Sequence, residues 1–169
     1  MGKTSLSDLF RLLEDLKREE VLVEYAVVGA IAALFYAEAT PTFDLDVAVI
    51  VPQSQGALLS LEPLYRALAT RGFRPEGPHV LVEGVPVQFL PGERGLWREV
   101  VERANQLDYD GTPVRVATAE HLVAMAFDAP ESRRMQRALA LLESPGFDRK
   151  TLDDILTRHG IRDRTPPSE

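Results

Sequence analysis

The segment from Asp44 to Val51, DLDVAVIV, constrains the fold more than any other part of the sequence. It is almost continuously apolar and rich in valine, which is typical of a strand that is buried on both faces. Pro52 follows it and ends it, because proline has no N–H to donate to a β-ladder. Side chains two residues apart on a strand point to the same face, so the pattern predicts Asp44 and Asp46 side by side.

Two neighbouring carboxylates repel each other and resist burial, so they need a cation or solvent between them. A divalent cation such as Mg²⁺ (or Mn²⁺) accepts carboxylate oxygens and keeps positions for water and substrate phosphates. The alternative is an acidic strand end that faces water. The preceding segment favours the metal site, because Val27-Val28-Gly29-Ala30 predicts a strand that turns at a glycine into a helix. Such a turn aims backbone N–H groups at an anion.

The order of the predicted elements indicates one α/β (α+β) domain over residues 1–162, with a mixed sheet flanked by helices. Its sheet-containing part covers about 21–117 and a helical extension about 118–162, and residues 163–169 are predicted to be a disordered tail. Further strands are predicted at 25–28, 79–83, 85–90 and 114–116. Helices are predicted at 7–19 with Ser7 as N-cap, and at 30–36, 55–70, 96–106, 119–127, 131–143 and 149–159. Pro63 either kinks the third of these helices or marks the first turn of a shorter one.

Composition excludes several classes of function. The formal net charge of -7 argues against a protein that grips duplex nucleic acid through many phosphates. A bound metal ion can still supply the positive charge that a nucleotide requires. The absence of cysteine excludes disulfides and thiolate metal sites. No apolar run spans a membrane and no signal peptide is evident, so we expect a cytoplasmic protein with no membrane partner.

The stretch from Tyr25 to Leu34, followed by Thr42 to Val49, resembles the front half of the nucleotidyltransferase superfamily. Within it, the likeness is to the minimal bacterial branch that includes abortive-infection toxin-like nucleotidyltransferases. In that pattern a Gly-Gly or Gly-Ser turn precedes a helix, and a threonine stands two residues before the first aspartate of Asp-x-Asp. The later segments 84–90, 112–122 and 147–161 resemble the remaining strands and the closing helix of the family.

This resemblance implies a nucleotidyltransferase-like mixed sheet and a role for Asp44 and Asp46 as metal-binding catalytic residues. It also implies that Gly29, Ala30 and Thr42 contact a nucleoside triphosphate such as ATP. The implied reaction is a Mg²⁺- or Mn²⁺-dependent transfer of a nucleotidyl group to an acceptor. The acceptor is open among RNA, a protein and a small molecule, and the oligomeric state is open as well.

The sequence departs from the family pattern at four positions. Ala30 replaces the second turn residue, Thr40 replaces an arginine, and Ala126 replaces a lysine. Gln88 stands where the family has a third metal-binding carboxylate, so we place it beside the nucleotide as an uncharged contact. Three hypotheses therefore stay open: an active or weakened enzyme, an inactive nucleotide- or partner-binding module, and a member of a toxin–antitoxin pair whose acidic cleft meets a basic protein.

Other charged and aromatic residues have ordinary interpretations. Arg133, Arg134 and Arg137 form a basic helical patch that is either a solvated face or a surface for phosphate or RNA. Trp97 is expected in the core. The three histidines, which are His79, His121 and His159, lack the spacing of metal ligands and are expected on the surface or at helix caps.

Overall fold

A computed structural model describes residues 5–38, 42, 44–53 and 59–168. In this part of the chain, seven helices and seven strands follow one another in a mixed order. The elements are α1 (Leu6–Arg18), β1 (Glu24–Val28), α2 (Gly29–Ala33), β2 (Leu45–Ile50), α3 (Glu62–Thr70), β3 (Pro75–Glu76), β4 (His79–Val82), β5 (Val85–Pro91), α4 (Gly95–Glu102), β6 (Asn105–Tyr109), β7 (Thr112–Val116), α5 (Ala119–Asp128), α6 (Ser132–Leu142) and α7 (Arg149–His159). None of the helices in these ranges is long and apolar enough to cross a membrane.

The strands form one mixed sheet in the order β3-β4-β5-β2-β1-β7-β6, so β2 is the central strand. It pairs antiparallel with β1, where Val47 lies opposite Val27, and parallel with β5, where Leu45 lies beside Val87. All residues of β2 except Asp46 are buried. The prediction of a central strand between those that contain Val27 and Val87 is therefore confirmed.

Helices pack against the sheet, and three more helices follow the last strand at the C-terminal end of the chain. Helix α4 packs against β1 and β2, and α1 packs against β7. Helices α5, α6 and α7 follow the last strand, and α5 packs against both of the others. This arrangement confirms the predicted α/β class, in which strands dominate up to Val116 and helices dominate after it.

The predicted helix at 96–106 is wrong in its second half. Helix α4 ends at Glu102, and Asn105 begins strand β6, which pairs antiparallel with β7. The hairpin turns at Asp110 and Gly111, which both have positive φ, the backbone that a tight two-residue turn requires. The partner strand β7 offers a ladder to these residues, and that pairing outweighs the helical tendency of residues such as Gln106.

Three helix boundaries also differ from the prediction. Helix α1 begins after Ser5, whose backbone N–H donates to the Asp8 carboxylate in a capping box, while the predicted cap Ser7 is buried inside the helix. Helix α2 ends at Ala33, because the next turns tighten to i→i+3 hydrogen bonds. Helix α3 begins at Glu62 with Pro63 in its first turn, which confirms the shorter alternative; residues 54–58 lie outside the described residues.

Residues 161–168 form no helix or strand, yet some of them contact the helices. The Arg149 side chain donates to Asp163 and Thr165, and Arg164 Nε donates to the carbonyl oxygen of Phe127 at 2.8 Å. These contacts lie within the segment that the sequence predicts to be a disordered tail.

A single carboxylate, that of Glu99 on α4, joins three helices. It accepts hydrogen bonds from Arg158 and His159 at the end of α7 and from His121 Nε2 on α5, the last at 3.1 Å. The His121 ring is 2% exposed, and its Nδ1 lies 2.7 Å from Thr118 Oγ1. This pattern fits a neutral ring that donates from Nε2 and accepts at Nδ1. His121 and His159 thus hold the helical extension against the sheet-containing part.

The surroundings of Glu99 favour its ionised form. The hydrogen bond from Arg158, with those from His159 and His121, holds the pKa of Glu99 well below its usual range. Burial lowers the pKa of His121, and the neighbouring Glu99 opposes this shift. Both groups therefore lose protons more readily in the folded state than in the unfolded state, so acid pH weakens the junction.

We expect Glu99→Gln to lower the free energy of unfolding at pH 7 by about 2 kcal/mol, because hydrogen bonds to a charged group are lost. Glu102→Gln on the same helix is the control, since its exposed pair with Arg98 contributes about 0.5 kcal/mol or less. Chemical denaturation measures both. The wild-type advantage over Glu99→Gln should shrink as pH falls below the unfolded-state pKa of 4.5. Equal stability of the two variants at pH 7 would contradict the assigned junction.

Candidate functional site

A row of side chains crosses three neighbouring strands where β2 begins. Asp46 of β2 lies opposite Val28 of β1 on one side and beside Gln88 of β5 on the other. Residues in register on neighbouring strands present their side chains to the same face of a sheet. The expectation that Gln88 shares the face of Asp46 is therefore confirmed, and both side chains are half-buried.

Gly29 lies directly against Asp46. A Cβ added at Gly29 would lie 2.6 Å from Oδ2 of Asp46, closer than two such atoms can approach, and the φ of Gly29 is +69°. Only glycine adopts this backbone readily and leaves space for the carboxylate. Ala30 follows in the first turn of α2, where backbone N–H groups have no partner within the helix. The structure thus brings Gly29, Ala30 and Asp46 together, as the sequence predicts.

Asp44 and Thr42 lie in the segment that leads into β2. Asp44 is exposed and stands one residue before the strand, so the predicted strand begins one residue too early. Its backbone N–H donates to Thr42 Oγ1 at 3.4 Å, so the Thr42 hydroxyl helps to hold the backbone of Asp44 in place. Burial, followed by the charge of Asp44, raises the pKa of Asp46.

A cleft of about 720 Å³, including its open mouth, lies over the face of the sheet that carries Asp46. Helices α5 and α6 and the start of α4 form its other walls. Most of its lining is apolar, with charged groups from Asp46, Asp128 and two arginines of α6. The lining residues are Val28, Gly29, Ala33, Asp46, Leu90, Leu96, Trp97, Leu122, Met125, Ala126, Asp128, Ala129, Arg134, Arg137, Ala138 and Leu141.

Two arginines of α6 face Asp46 across this cleft. Arg134 and Arg137 both lower the pKa of Asp46 and thereby offset part of the effect of burial and of Asp44. Arg134 is exposed, and it lies 3.5 Å from Glu131 and donates to the carbonyl oxygen of Ala129 at 3.3 Å. Arg137 is half-buried, and burial lowers the pKa of its guanidinium. The cleft therefore combines an acidic end on the sheet with a basic wall on α6.

Several side chains with ordinary interpretations in the sequence have other positions in the structure. Trp97 is partly buried: it packs against the hydrophobic core, as expected, and it also lines the cleft. Arg134 and Arg137 lie four residues before Ala138 and Leu141, respectively, which is the spacing of one helix face. This spacing is the sequence signal that could have assigned the two arginines to the cleft lining. Val80 pairs with Val87, so the same antiparallel register places His79 beside Gln88. His79 also lowers the pKa of Asp46. That neighbourhood depends on strand order, which spacing in the sequence does not reveal.

The described residues include no group of three or more histidine, cysteine or acidic side chains that could hold a metal ion. Asp44 and Asp46 are two carboxylates, and the third position of the row is the uncharged amide of Gln88. A divalent cation at this place would have to complete its coordination with water or substrate oxygens.

No model of a known protein family matches the sequence, and no curated protein matches it. The fold is shared with several solved structures, including the two that follow. A crystal structure of ANT(2″)-Ia in complex with adenylyl-2″-tobramycin is 13% identical, with a TM-score of 0.55, and the match covers 91% of this chain and 96% of that one. An antigenic nucleotidyltransferase-like protein from Paracoccidioides brasiliensis is 14% identical, with a TM-score of 0.57 and coverage of 90% and 85%. The chain thus has a nucleotidyltransferase-like fold.

We expect Gly29→Ala to destabilise the protein by about 2–4 kcal/mol, because it combines backbone strain with overpacking against Asp46. Gly77→Ala is the matched control, since Gly77 also has positive φ (+61°) but a Cβ there meets nothing within 4 Å. Its cost should be about 1–2 kcal/mol, from the backbone alone. Thermal and chemical unfolding of both variants measure the difference. Equal costs would show that Asp46 does not press against Gly29.

Proposed function

We propose that this protein binds a nucleoside triphosphate such as ATP, together with Mg²⁺ or Mn²⁺, at Asp44 and Asp46 and transfers its nucleotidyl group to an acceptor. The observation that carries this proposal is the contact of Asp46 with Gly29 at the start of the central strand. It brings a carboxylate, a tight glycine turn and the first N–H groups of α2, which have no partner within the helix, to one place. The likeness of the fold to solved nucleotidyltransferase structures supports the same reading.

The donor atoms fit one hard divalent cation. Asp44 and Asp46 repel each other, and burial of Asp46 adds to the cost of its charge, so a cation between them would relieve both effects. Carboxylate oxygens are the ligands that Mg²⁺ and Mn²⁺ prefer. When bound, the cation would neutralise charge on the phosphates of the substrate.

The other residues of the cleft position the substrate. The N–H groups of Gly29 and Ala30 are available to phosphate oxygens, and the Gln88 amide can donate or accept beside Asp46. The apolar wall that includes Trp97 and Leu96 offers an aromatic surface to a base or to the acceptor. In the transfer, the acceptor oxygen bonds to the α-phosphorus, pyrophosphate leaves with the electrons of the broken P–O bond, and the hydroxyl proton is lost to solvent.

A second candidate is a module that binds a nucleotide or a protein partner without transferring anything. Gln88 favours it, because an amide in place of a carboxylate removes a ligand and a base. Such a module could also act in a toxin–antitoxin pair. For the first candidate, the enzyme, the acceptor is RNA, a protein or a small molecule. ANT(2″)-Ia, with its adenylyl-2″-tobramycin complex, makes a small molecule worth including in the assay.

We expect Mg²⁺ with ATP to raise the melting temperature of the wild type, by about 5–10 °C when ATP is present at a hundred times its dissociation constant. The Asp44→Asn, Asp46→Asn double variant should lose this shift, because amides keep the shape but lack the charge that attracts the cation. Differential scanning fluorimetry with Mg²⁺, with Mn²⁺ and with EDTA measures the effect.

The matched control for this experiment is a second Asp-x-Asp sequence in the same chain. Asp108 and Asp110 lie at the hairpin between β6 and β7, are exposed, and do not line the cleft. Asp108→Asn with Asp110→Asn removes the same number of charges and should leave the ATP shift unchanged. A metal-dependent shift that survives in the double variant at 44 and 46 would exclude the proposed site.

Gln88→Glu separates a weakened enzyme from an inactive module. It restores a carboxylate beside Asp46, so we expect the Mg²⁺ concentration needed for the ATP shift to fall severalfold. If the protein is a weakened enzyme, transfer of label from α-³²P-ATP to an RNA, protein or aminoglycoside acceptor should rise in parallel. Tighter metal binding without any transfer would favour the inactive module, and no effect on metal binding would remove Gln88 from the site.

A further inference from the structure

Arg137 occupies an unusual environment for a surface helix of an acidic protein. It lies on the same face of α6 as Ala138 and Leu141, which are buried, and this face lines the cleft opposite Asp46. Many exposed arginines of the chain pair with a neighbouring carboxylate, such as Arg98 with Glu102 and Arg149 with Asp153. Arg137 instead holds its guanidinium half-buried at the wall of the cleft.

The guanidinium of Arg137 also has no hydrogen-bonding or ion-pair partner in the part of the chain that the structure describes. Among the described residues it makes no hydrogen bond and no ion pair, and neither Asp46 nor Glu131 lies close enough to pair with it, although both act on its pKa. Burial makes the charged form of this side chain more costly. An unpaired, partly desolvated guanidinium with five N–H donors is a place where an oxyanion binds well.

The neighbouring arginines differ from Arg137 either in their partners or in their position. Arg134 lines the same cleft, but it is exposed and already lies beside Glu131 and the carbonyl oxygen of Ala129. Arg133 is exposed and is not part of the cleft lining. Arg137 is therefore the arginine of α6 whose hydrogen-bonding capacity is free and directed at the acidic end of the site.

We propose that Arg137 binds the phosphate chain of the nucleotide opposite Asp46 and supplies there the positive charge that a second metal ion cannot supply, because Gln88 offers no third carboxylate. This inference rests on the proposed function and makes it more specific: the site would take one divalent cation and one arginine. The ligand class of this site is a polyphosphate, and one of its positive charges, that of Arg137, belongs to the protein itself. A guanidinium can donate two parallel hydrogen bonds to one phosphate group, which fixes orientation as well as charge.

Charge balance explains why the two features belong together. The charge of one cation held by Asp44 and Asp46 is largely neutralised by those two carboxylates, so the phosphate chain stays negatively charged. A second cation would need another anionic ligand, and the row that crosses β1, β2 and β5 provides an amide there. The guanidinium of Arg137 needs no carboxylate ligand at all, so the loss of a carboxylate at position 88 and the free arginine on α6 compensate each other.

The test compares Arg137→Gln with Arg133→Gln, which removes the same charge from the same helix outside the cleft. Affinities for ATP, AMP and inorganic tripolyphosphate are measured with Mg²⁺ by calorimetry. They are also measured through the fluorescence of Trp97, which is the single tryptophan of the chain and lines the cleft. ATP and tripolyphosphate should bind about tenfold or more weakly to Arg137→Gln, AMP should change much less, and Arg133→Gln should stay within about twofold of wild type.

Two further measurements separate phosphate binding from a structural role. The melting temperature of ligand-free Arg137→Gln should change little, because no hydrogen bond within the protein is removed and only the attraction to Asp46 and Glu131 is lost. Arg137→Lys should keep part of the ATP affinity, since it retains the charge and loses the planar fork. Equal losses of ATP and AMP affinity, or a fall in ligand-free stability that accounts for the loss, would overturn the inference.

The outcomes for the two proposals are distinguishable. If wild type binds Mg²⁺–ATP through Asp44 and Asp46 but Arg137→Gln binds it equally well, the inference on Arg137 fails and the proposed function stands. If tripolyphosphate binds in an Arg137-dependent manner, but ATP binds no more tightly than tripolyphosphate and its binding does not depend on Mg²⁺, the anion site stands and the proposed function fails. If wild type binds neither ATP nor tripolyphosphate, both are wrong.

Discussion

The site depends on the close contact between the backbone of Gly29 and the carboxylate of Asp46. The ladder between β1 and β2 sets this contact, because Val28, the residue before Gly29, lies opposite Asp46. A slip of one residue in that ladder would turn Asp46 to the other face of the sheet and bring Leu45 or Val47 to the cleft face in its place. The apolar side chains that fix the register of the central strand therefore also fix the geometry of the acidic site. Stability and site geometry have one origin here.

Much of the fold is readable from the sequence because its central elements are locally consistent. Strand β2 is apolar enough to be buried on both faces, and the β4–β5 hairpin and the three C-terminal helices have clear periodicity and turn residues. Strand β6 is not readable in this way. Its sequence, NQLDY, is mostly polar, and it becomes a strand because β7 provides a partner after the Asp110-Gly111 turn. The same holds for the two-residue strand β3, which exists through its pairing with β4.

The candidate site divides along the same line. Asp44, Asp46 and Gly29 can be found from local spacing, because a strand period and a strand–glycine–helix sequence are features of short segments. The placement of Gln88 required the resemblance to a family, and the sheet register agrees with it. The positions of Arg137 and Trp97 follow from the packing of α6 and α4 over the sheet face, which no short segment encodes. The chemical roles of Asp44, Asp46, Gly29, Ala30, Thr42 and Gln88 stay predictions, since a static arrangement of side chains does not by itself show a reaction.

The amide at position 88 also has a consequence for the history of such a site. Glutamine and glutamate have nearly the same shape, and their codons differ by one base. The row across β1, β2 and β5 can therefore pass between a neutral and an anionic third position in one mutational step, without repacking the strands around it. A single substitution at position 88 therefore separates this chain from one with a third carboxylate. Selection on metal use could switch the character of the cleft while the fold that supports it stays the same.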